Sequence, residues 1–367
     1  EYDGVSGVDV LTDLAQFKPL GIYDKGSTLK GSNKYEQITL GRSFNVDSNL
    51  SFSVAGRLVH GTRKLNGNLN IGANPTAQYK QAKAQQVAQE VSKAVDAATQ
   101  GKGLSAAQIA AIKAQKTNEA LTKLQQKVNG LNQNGLTGDI DSKREAWGYG
   151  FQLGVNYKVN DKLNLAARYD SRVKMNFKAK GHEYQLQTTD ILGQTIGLST
   201  FYPQYTINSK IRRDLPAILS VGASYKVTDS YLVSASGNFY FNRQAKMDRV
   251  KAFRGHQHGG DYKNGWEIAL GNEYKLNEKF TLIGSINYAD TGAKTASFND
   301  TEYALNSVTL GGGIRYQYDD SLSITASVAH FIYQGADGNF KEKYGVAENQ
   351  KYKKEITALG LSITKKF

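Results

Sequence analysis

Ser142 to Gly181 reads SKREAWGYGFQLGVNYKVNDKLNLAARYDSRVKMNFKAKG and sorts by parity. Odd positions carry Trp147, Tyr149, Phe151, Leu153, Val155 and Tyr157, then Leu163, Leu165, Tyr169, Val173, Met175 and Phe177. Even positions carry Gly148, Gly150, Gln152, Asn156 and Lys158, then Asn164, Arg168, Asp170, Arg172, Lys174 and Lys178. A period of two is a strand period, which puts the apolar side chains on one face and the polar ones on the other. Asn160-Asp161 is a turn signal between the two strands. No other part of the chain offers a cover for the apolar face, because the remaining strands repeat the pattern. A band bounded by Trp147, Tyr149, Tyr157, Tyr169 and Phe177 fits a face turned to lipid, with aromatics at the interfaces. The expected fold class is therefore all-β, a transmembrane antiparallel β-barrel whose polar face lines a closed lumen.

Composition agrees with this. The 367 residues suit one large barrel, hydrophobic content is 40% and mean hydropathy is −0.50. No run approaches the roughly 18 apolar residues of a membrane helix, whereas a barrel needs only alternate apolar positions. The absence of Cys removes disulfides, thiolate metal sites and thiol nucleophiles together. The formal charge of +13 is spread over lumen positions, loops and a helical insert without any recognition module, so nucleic acid is not an expected partner. The chain opens at Glu1 without a basic-then-apolar leader, so any signal peptide is expected to have been removed or to lie outside this sequence.

About eleven strands are expected, at 35–46, 50–69, the two quoted above, 215–227, 231–250, 266–276, 280–288, 308–318, 322–333 and 356–367. Short turns alternate with long loops at roughly 72–140, 181–213, 251–263, 290–302 and 335–352, the two-sided pattern of a membrane barrel. Arg42 falls on the apolar phase of its strand, which suggests a place near a membrane boundary. From Ala77 to Asn132 the period changes. Ala84, Val87, Val91 and Val95, then Ile109, Ile112, Leu121, Leu124, Val128 and Leu131, recur at helical spacing. Gly101-Lys102-Gly103 separates two helices, Ser105 with Gln108 makes a capping box, and Gly130 is a candidate stop. This stripe either packs on itself and neighbouring loops or lines an apolar groove at the barrel mouth.

EAWGYGFQLGVNY from Glu145, LAARYDSRVKMNFKAKG ending at Gly181, LPAILSVGASY from Leu215 and the final Phe367 resemble the FadL/TodX family. These are outer-membrane transporters of long-chain fatty acids and hydrophobic hydrocarbons, and strand and loop order is similar over essentially the whole chain. The resemblance implies fourteen strands with an N-terminal hatch. Here the hatch and about three strands are expected to be absent, because Glu1-Tyr2-Asp3 falls where the family's third strand ends. One domain, a barrel over 1–367 with a helical insertion at 77–132, is expected in the bacterial outer membrane. Its expected partners are a hydrophobic small molecule, membrane lipid and lipopolysaccharide, and it is expected to be a monomer without a cofactor.

The resemblance implies capture of a hydrophobic solute in an apolar loop groove, transfer to a lumen site and sideways release. Groove candidates are Ile109 and Ile112 of the helical insert with Ile191, Leu192, Ile196, Leu198, Phe201 and Tyr202 of the apolar second loop. Packing between loops is the alternative for each of them. A fatty carboxylate would need a cation, and Arg57, Arg63, Arg168, Arg172 and Lys174 have inward phase, with Lys64 adjoining. Arg63 and Lys64 lie towards the loop side, while Arg168-x-Asp170-x-Arg172 also fits a salt-bridge ladder along a barrel wall. His256-Gln257-His258 lacks a third ligand nearby and reads as a loop rather than a metal site. There is no G-x-S-x-G, H-E-x-x-H or phosphate loop, and no enzyme activity is expected. A general diffusion porin and a surface adhesin or receptor built on the helical loop are the competing readings.

Overall fold

A computed structural model of the chain describes residues 2–3, 21–134, 136–180, 188–189, 195–196, 208–248, 250–251, 257–258, 262–298, 303–339, 341–342 and 349–366. The wall begins with β1 (Thr28–Asn45), β2 (Leu50–Ala73) and β3 (Leu136–Lys158), of 18, 24 and 23 residues. β4 (Leu163–Asp170) is prolonged by β5 (Asn176–Lys180), and β6 (Lys210–Arg212) leads into β7 (Ile218–Thr228). Then come β8 (Tyr231–Tyr240), β9 (Gly265–Lys275), β10 (Phe280–Asp290), β11 (Ser307–Gln317), β12 (Leu322–Tyr333) and β13 (Glu355–Lys365). With β4/β5 and β6/β7 each taken as one course, the wall has eleven long courses joined antiparallel in chain order, with the short strands Tyr2–Asp3 and Ile22–Asp24 paired to β1 and β2. The expected strand at 231–250 is shorter, because a 3₁₀ turn at Asn242–Gln244 follows Tyr240.

The two faces separate as the period of two requires. Tyr149 is 84% and Leu359 85% exposed, and Trp147, Ile268, Leu270 and Ile286 join them on the same outer face. Rows of cross-strand partners carry this face from strand to strand. Ala223, Ala235, Leu270, Ile286 and Leu310 form one such row. The opposite face carries Glu267, whose carboxylate accepts from the Tyr240 hydroxyl, and Glu273, which takes Arg315 in a two-pronged pair at 2.8 and 3.2 Å. An apolar outer band around a polar inner face is the membrane-barrel arrangement. Among the described residues β1 and β13 are not paired with each other, so the sheet is not closed here, and β13 is exposed on both faces. Arg42 is outward, level with Val54 and three residues before β1 ends, with its guanidinium 5.2 Å from the Phe44 ring centre.

Four short turns share one device. Asp47, Asn160, Asn277 and Asp319 each accept two backbone N–H groups, two and three residues ahead, through Oδ1 at 2.7 to 2.9 Å. This is why an Asx residue opens each turn: its side chain supplies the acceptors that the bending backbone cannot. At Asp319 the Ser321 hydroxyl adds a third donor, and together they hold its carboxyl below the ordinary range.

The β2–β3 connection contains α1 (Ala77–Thr99) and α2 (Ala106–Asn134). The capping box forms: the Ser105 backbone N–H donates to Gln108 Oε1 at 2.8 Å, and the Gln108 N–H donates to Ser105 Oγ at 3.3 Å. The apolar stripes pack on each other, with Leu124 and Val128 buried against Tyr79, Ala84, Val87 and Leu121. Gly130 does not end α2, which runs four residues further. A single Gly in a helix costs only about 1 kcal/mol, too little to stop a helix with an apolar partner.

Candidate functional site

Besides a register shift at the Lys226–Thr228 end of β7, the regular alternation fails between β4 and β5. Asp170 and Ser171 are consecutive and both buried, and the pairing sum with β3 shifts by one residue, from Gln152↔Asp170 to Glu145↔Lys178. One extra residue in a strand is a β-bulge, and it exchanges the two faces beyond it. Val173, Met175 and Phe177 therefore point inward, at 0%, 0% and 1% exposure, where the sequence reading puts them on the lipid face. Lys174 and Lys178 turn outward for the same reason. The warning sign in the sequence is Ser171, a polar residue on the apolar phase.

The inverted segment makes an apolar cluster on the inner face, joined by Val59 of β2, Ala146 of β3 and Leu215. Close approach requires the glycines opposite it. A Cβ on Gly148 would lie 2.5 Å from both the Lys174 carbonyl oxygen and Val173, and one on Gly61 would lie 2.8 Å from Phe177. Tyr35 meets Phe177 edge-to-face at 6.2 Å, and the Arg63 guanidinium stands 6.0 Å from the Phe177 ring centre.

Charged groups bracket this cluster. On the turn side, Arg57 donates through Nη2 to the Ser171 carbonyl at 2.6 Å and lies 4.0 Å from Asp170 Oδ1. Arg168 Nε reaches Asp170 Oδ2 at 3.2 Å. Arg57 Nε and Asp170 Oδ1 are buried without a hydrogen-bond partner among the described residues. Asp214, buried beside the bulge, accepts a two-pronged bond from Arg212 (2.9 Å each) and the Met175 N–H at 3.2 Å. Arg172 does not complete a ladder with Asp170; it donates to the Gln244 carbonyl at 2.6 Å and lies 3.7 Å from Asp214.

The six carboxylate-binding candidates thus fall into three groups. Arg57 and Arg168 are inward and engaged with Asp170. Arg63 is inward beside Phe177 and donates to Asn33 at 2.8 Å, while Arg172 is drawn to Asp214. Lys64 alternates with Arg63 and is outward, and Lys174 is outward because of the bulge. Of the groove candidates, Ile109 and Ile112 are half-buried on α2. Ile191, Leu192, Leu198, Phe201 and Tyr202 lie outside the described residues, as does His256, and Ile196 is described only as pairing with Thr188. A cavity of about 120 Å³ lies between the helices, lined by Tyr79, Ala84, Leu121, Leu124 and Val128. A small-molecule site is typically ~300–1,000 Å³, so this gap alone cannot hold a long hydrophobic solute. A larger hollow of about 650 Å³, floored by Ala223, Ala235 and Gly237 among Val221, Ile268 and Leu270, opens on the lipid side.

Residues 27–367 match the model of a family described as outer membrane protein transport protein (OMPP1/FadL/TodX). The chain is similar to the 47 kDa outer membrane protein of Pasteurella multocida, 26% identical over 205 residues that make up 54% of this chain and 46% of that protein. It is also similar to the long-chain fatty acid transport protein of Escherichia coli O157:H7, 22% identical over 309 residues, 78% of this chain and 65% of that one. The chain spans about half the length of the first of these curated relatives. A solved FadL homologue of Pseudomonas aeruginosa shares the fold, with a TM-score of 0.56 and 15% identity over 92% of this chain and 68% of its own. A lipid-facing outer band, a polar inner face and a match over nearly the full length lead to one assignment: the chain belongs to the OMPP1/FadL/TodX family of outer-membrane β-barrel transport proteins.

Proposed function

We propose that the protein takes up hydrophobic molecules passively across the outer membrane, with long-chain fatty acids or aromatic hydrocarbons as the substrate class. The supporting observation is the match of residues 27–367 to the OMPP1/FadL/TodX family, borne by a wall with an apolar outer band and a polar inner face. Each CH₂ that leaves water for an apolar groove gains about 0.8 kcal/mol, which a polar lumen does not offer. In this reading the first contact is made by a groove between the Ile109–Ile112 side of α2 and the loop carrying Ile191, Leu192, Ile196, Leu198, Phe201 and Tyr202. Arg63 takes a fatty carboxylate at the cluster, and no catalytic step is involved.

Mass spectrometry of an organic extract of the purified protein tests this. A near-stoichiometric apolar molecule is expected, and Phe201→Asp should lower its occupancy. Arg63→Ala should weaken retention of a fatty acid and leave a neutral hydrocarbon unaffected. The polar inner face around Glu267, Glu273 and Arg315 favours a diffusion porin as the second reading. Nothing bound after exposure to fatty acid, together with ion conductance in a planar bilayer, would replace the first reading with the second.

A further inference from the structure

The bulge that turns Val173, Met175 and Phe177 inward also turns a set of lysines outward. Rows of cross-strand partners on the outer face can be followed upward from the aromatic band. The first two are Leu58–Tyr149 and His60–Trp147, with the His60 and Trp147 rings stacked at 4.4 Å. The next row runs Lys34–Thr62–Glu145–Lys178–Lys210 across β1, β2, β3, β5 and β6. Above it, Lys64, Lys143 and Lys180 stand side by side on β2, β3 and β5.

This register is unfavourable for the protein alone. Directly opposed side chains have Cβ atoms only about 4.5–5.5 Å apart, and like charges so placed repel. Three such pairs occur together: Lys178 opposite Lys210, Lys64 opposite Lys143, and Lys143 opposite Lys180. Glu145 neutralises part of the set, at 2.5 Å from Lys143 and 2.8 Å from Lys180, and Glu36 takes Lys34 at 2.7 Å. Asp141 is the next outward carboxylate, one row higher beside Asn66. Lys64, Lys178 and Lys210 are exposed and make no side-chain ion pair among the described residues.

Height selects what would compensate them. Two residues along a strand span about 6.6 Å, and at a strand tilt of ~40° these rows stand roughly 5 and 10 Å above Trp147 along the membrane normal. Tryptophan marks the membrane interface, and the lysines therefore reach the layer where lipid headgroups lie. We propose that this outer face of β1, β2, β3, β5 and β6 binds the phosphate groups of an anionic outer-leaflet lipid, with Lys64, Lys178 and Lys210 as the principal ligands. The site faces away from the lumen and does not depend on which solute is transported.

The test uses the full chain in phosphatidylcholine nanodiscs, titrated with bis-phosphorylated lipid A and read by native mass spectrometry. Combined Lys64→Gln, Lys178→Gln and Lys210→Gln should raise the apparent Kd at least tenfold. Matched Lys162→Gln, Lys226→Gln and Lys275→Gln changes at the turn end should leave it unchanged. Equal affinity of the triple variant, equal binding of dephosphorylated lipid A, or full competition by millimolar inorganic phosphate would each overturn the proposal. In neutral detergent without anionic lipid the triple variant should unfold no earlier than the parent. Earlier unfolding there would mean that the lysines are structural and would likewise overturn it.

Discussion

The wall from β8 to β12 and the wall from β1 to β7 are made of the same alternating sequence, yet only the first keeps one phase throughout. In β8–β12, strands of 10 to 12 residues pair without a register break. Every outward row there, such as Ala235–Leu270–Ile286–Leu310, can be read off by parity. In the second region strands reach 24 residues and one bulge exchanges inside and outside over a few residues. The lesson is that alternation identifies which residues share a face only as far as the next bulge. It does not say which face they share beyond it.

The largest effect should come from the inverted segment. Phe177→Ala removes a fully buried ring from the inner cluster and should cost about 3–5 kcal/mol in urea unfolding from bilayers, the usual range for such a truncation. A loss below ~1 kcal/mol would return Phe177 to the lipid face. The regular region should give a sharp contrast between neighbours. Leu270→Arg puts a charge on the lipid face near the middle of β9 and should cost about 2–4 kcal/mol. Ala269→Arg faces the polar lumen, where the charge is not transferred into lipid, and should cost less than about 1 kcal/mol. Equal costs at the two positions would break the assigned phase.

A smaller, local effect is expected in the insert. Ser105→Ala deletes the α2 cap and should cost about 0.5–2 kcal/mol, visible as faster amide exchange at the start of α2 while the wall strands keep their protection. The mildest test changes no stability. Cysteine at 174 should react in membrane-embedded protein with a lipid-phase thiol reagent, and cysteine at 175 should not. Reversed labelling would remove the bulge from the account.

Much of the architecture was legible because its signals are local. The eleven courses, the Asx-opened turns and the Ser105–Gln108 box each depend on residues a few positions apart. The Arg168–Asp170 pair was readable in the same way, since both side chains lie on one face of one strand. Arg172 was not, because its acceptor, the Gln244 carbonyl, is 72 positions away and its ion partner Asp214 meets it only after β5 and β6 have paired. Gly130 illustrates the converse: a local stop signal is overridden by the apolar contact between the two helices.

By itself the sequence determined a period of two, hence a two-faced sheet that must meet lipid on one side, and a period near 3.6 between β2 and β3, hence a helical pair. Tertiary pairing alone decided that Val173, Met175 and Phe177 face inward, that Lys174 and Lys178 face outward, and that three lysine pairs stand in register. The physical reason is that a strand's side-chain period is intrinsic to its backbone, whereas its facing is fixed relative to a partner. A single extra residue between Asp170 and Asn176 reverses that facing without altering the pattern on either side.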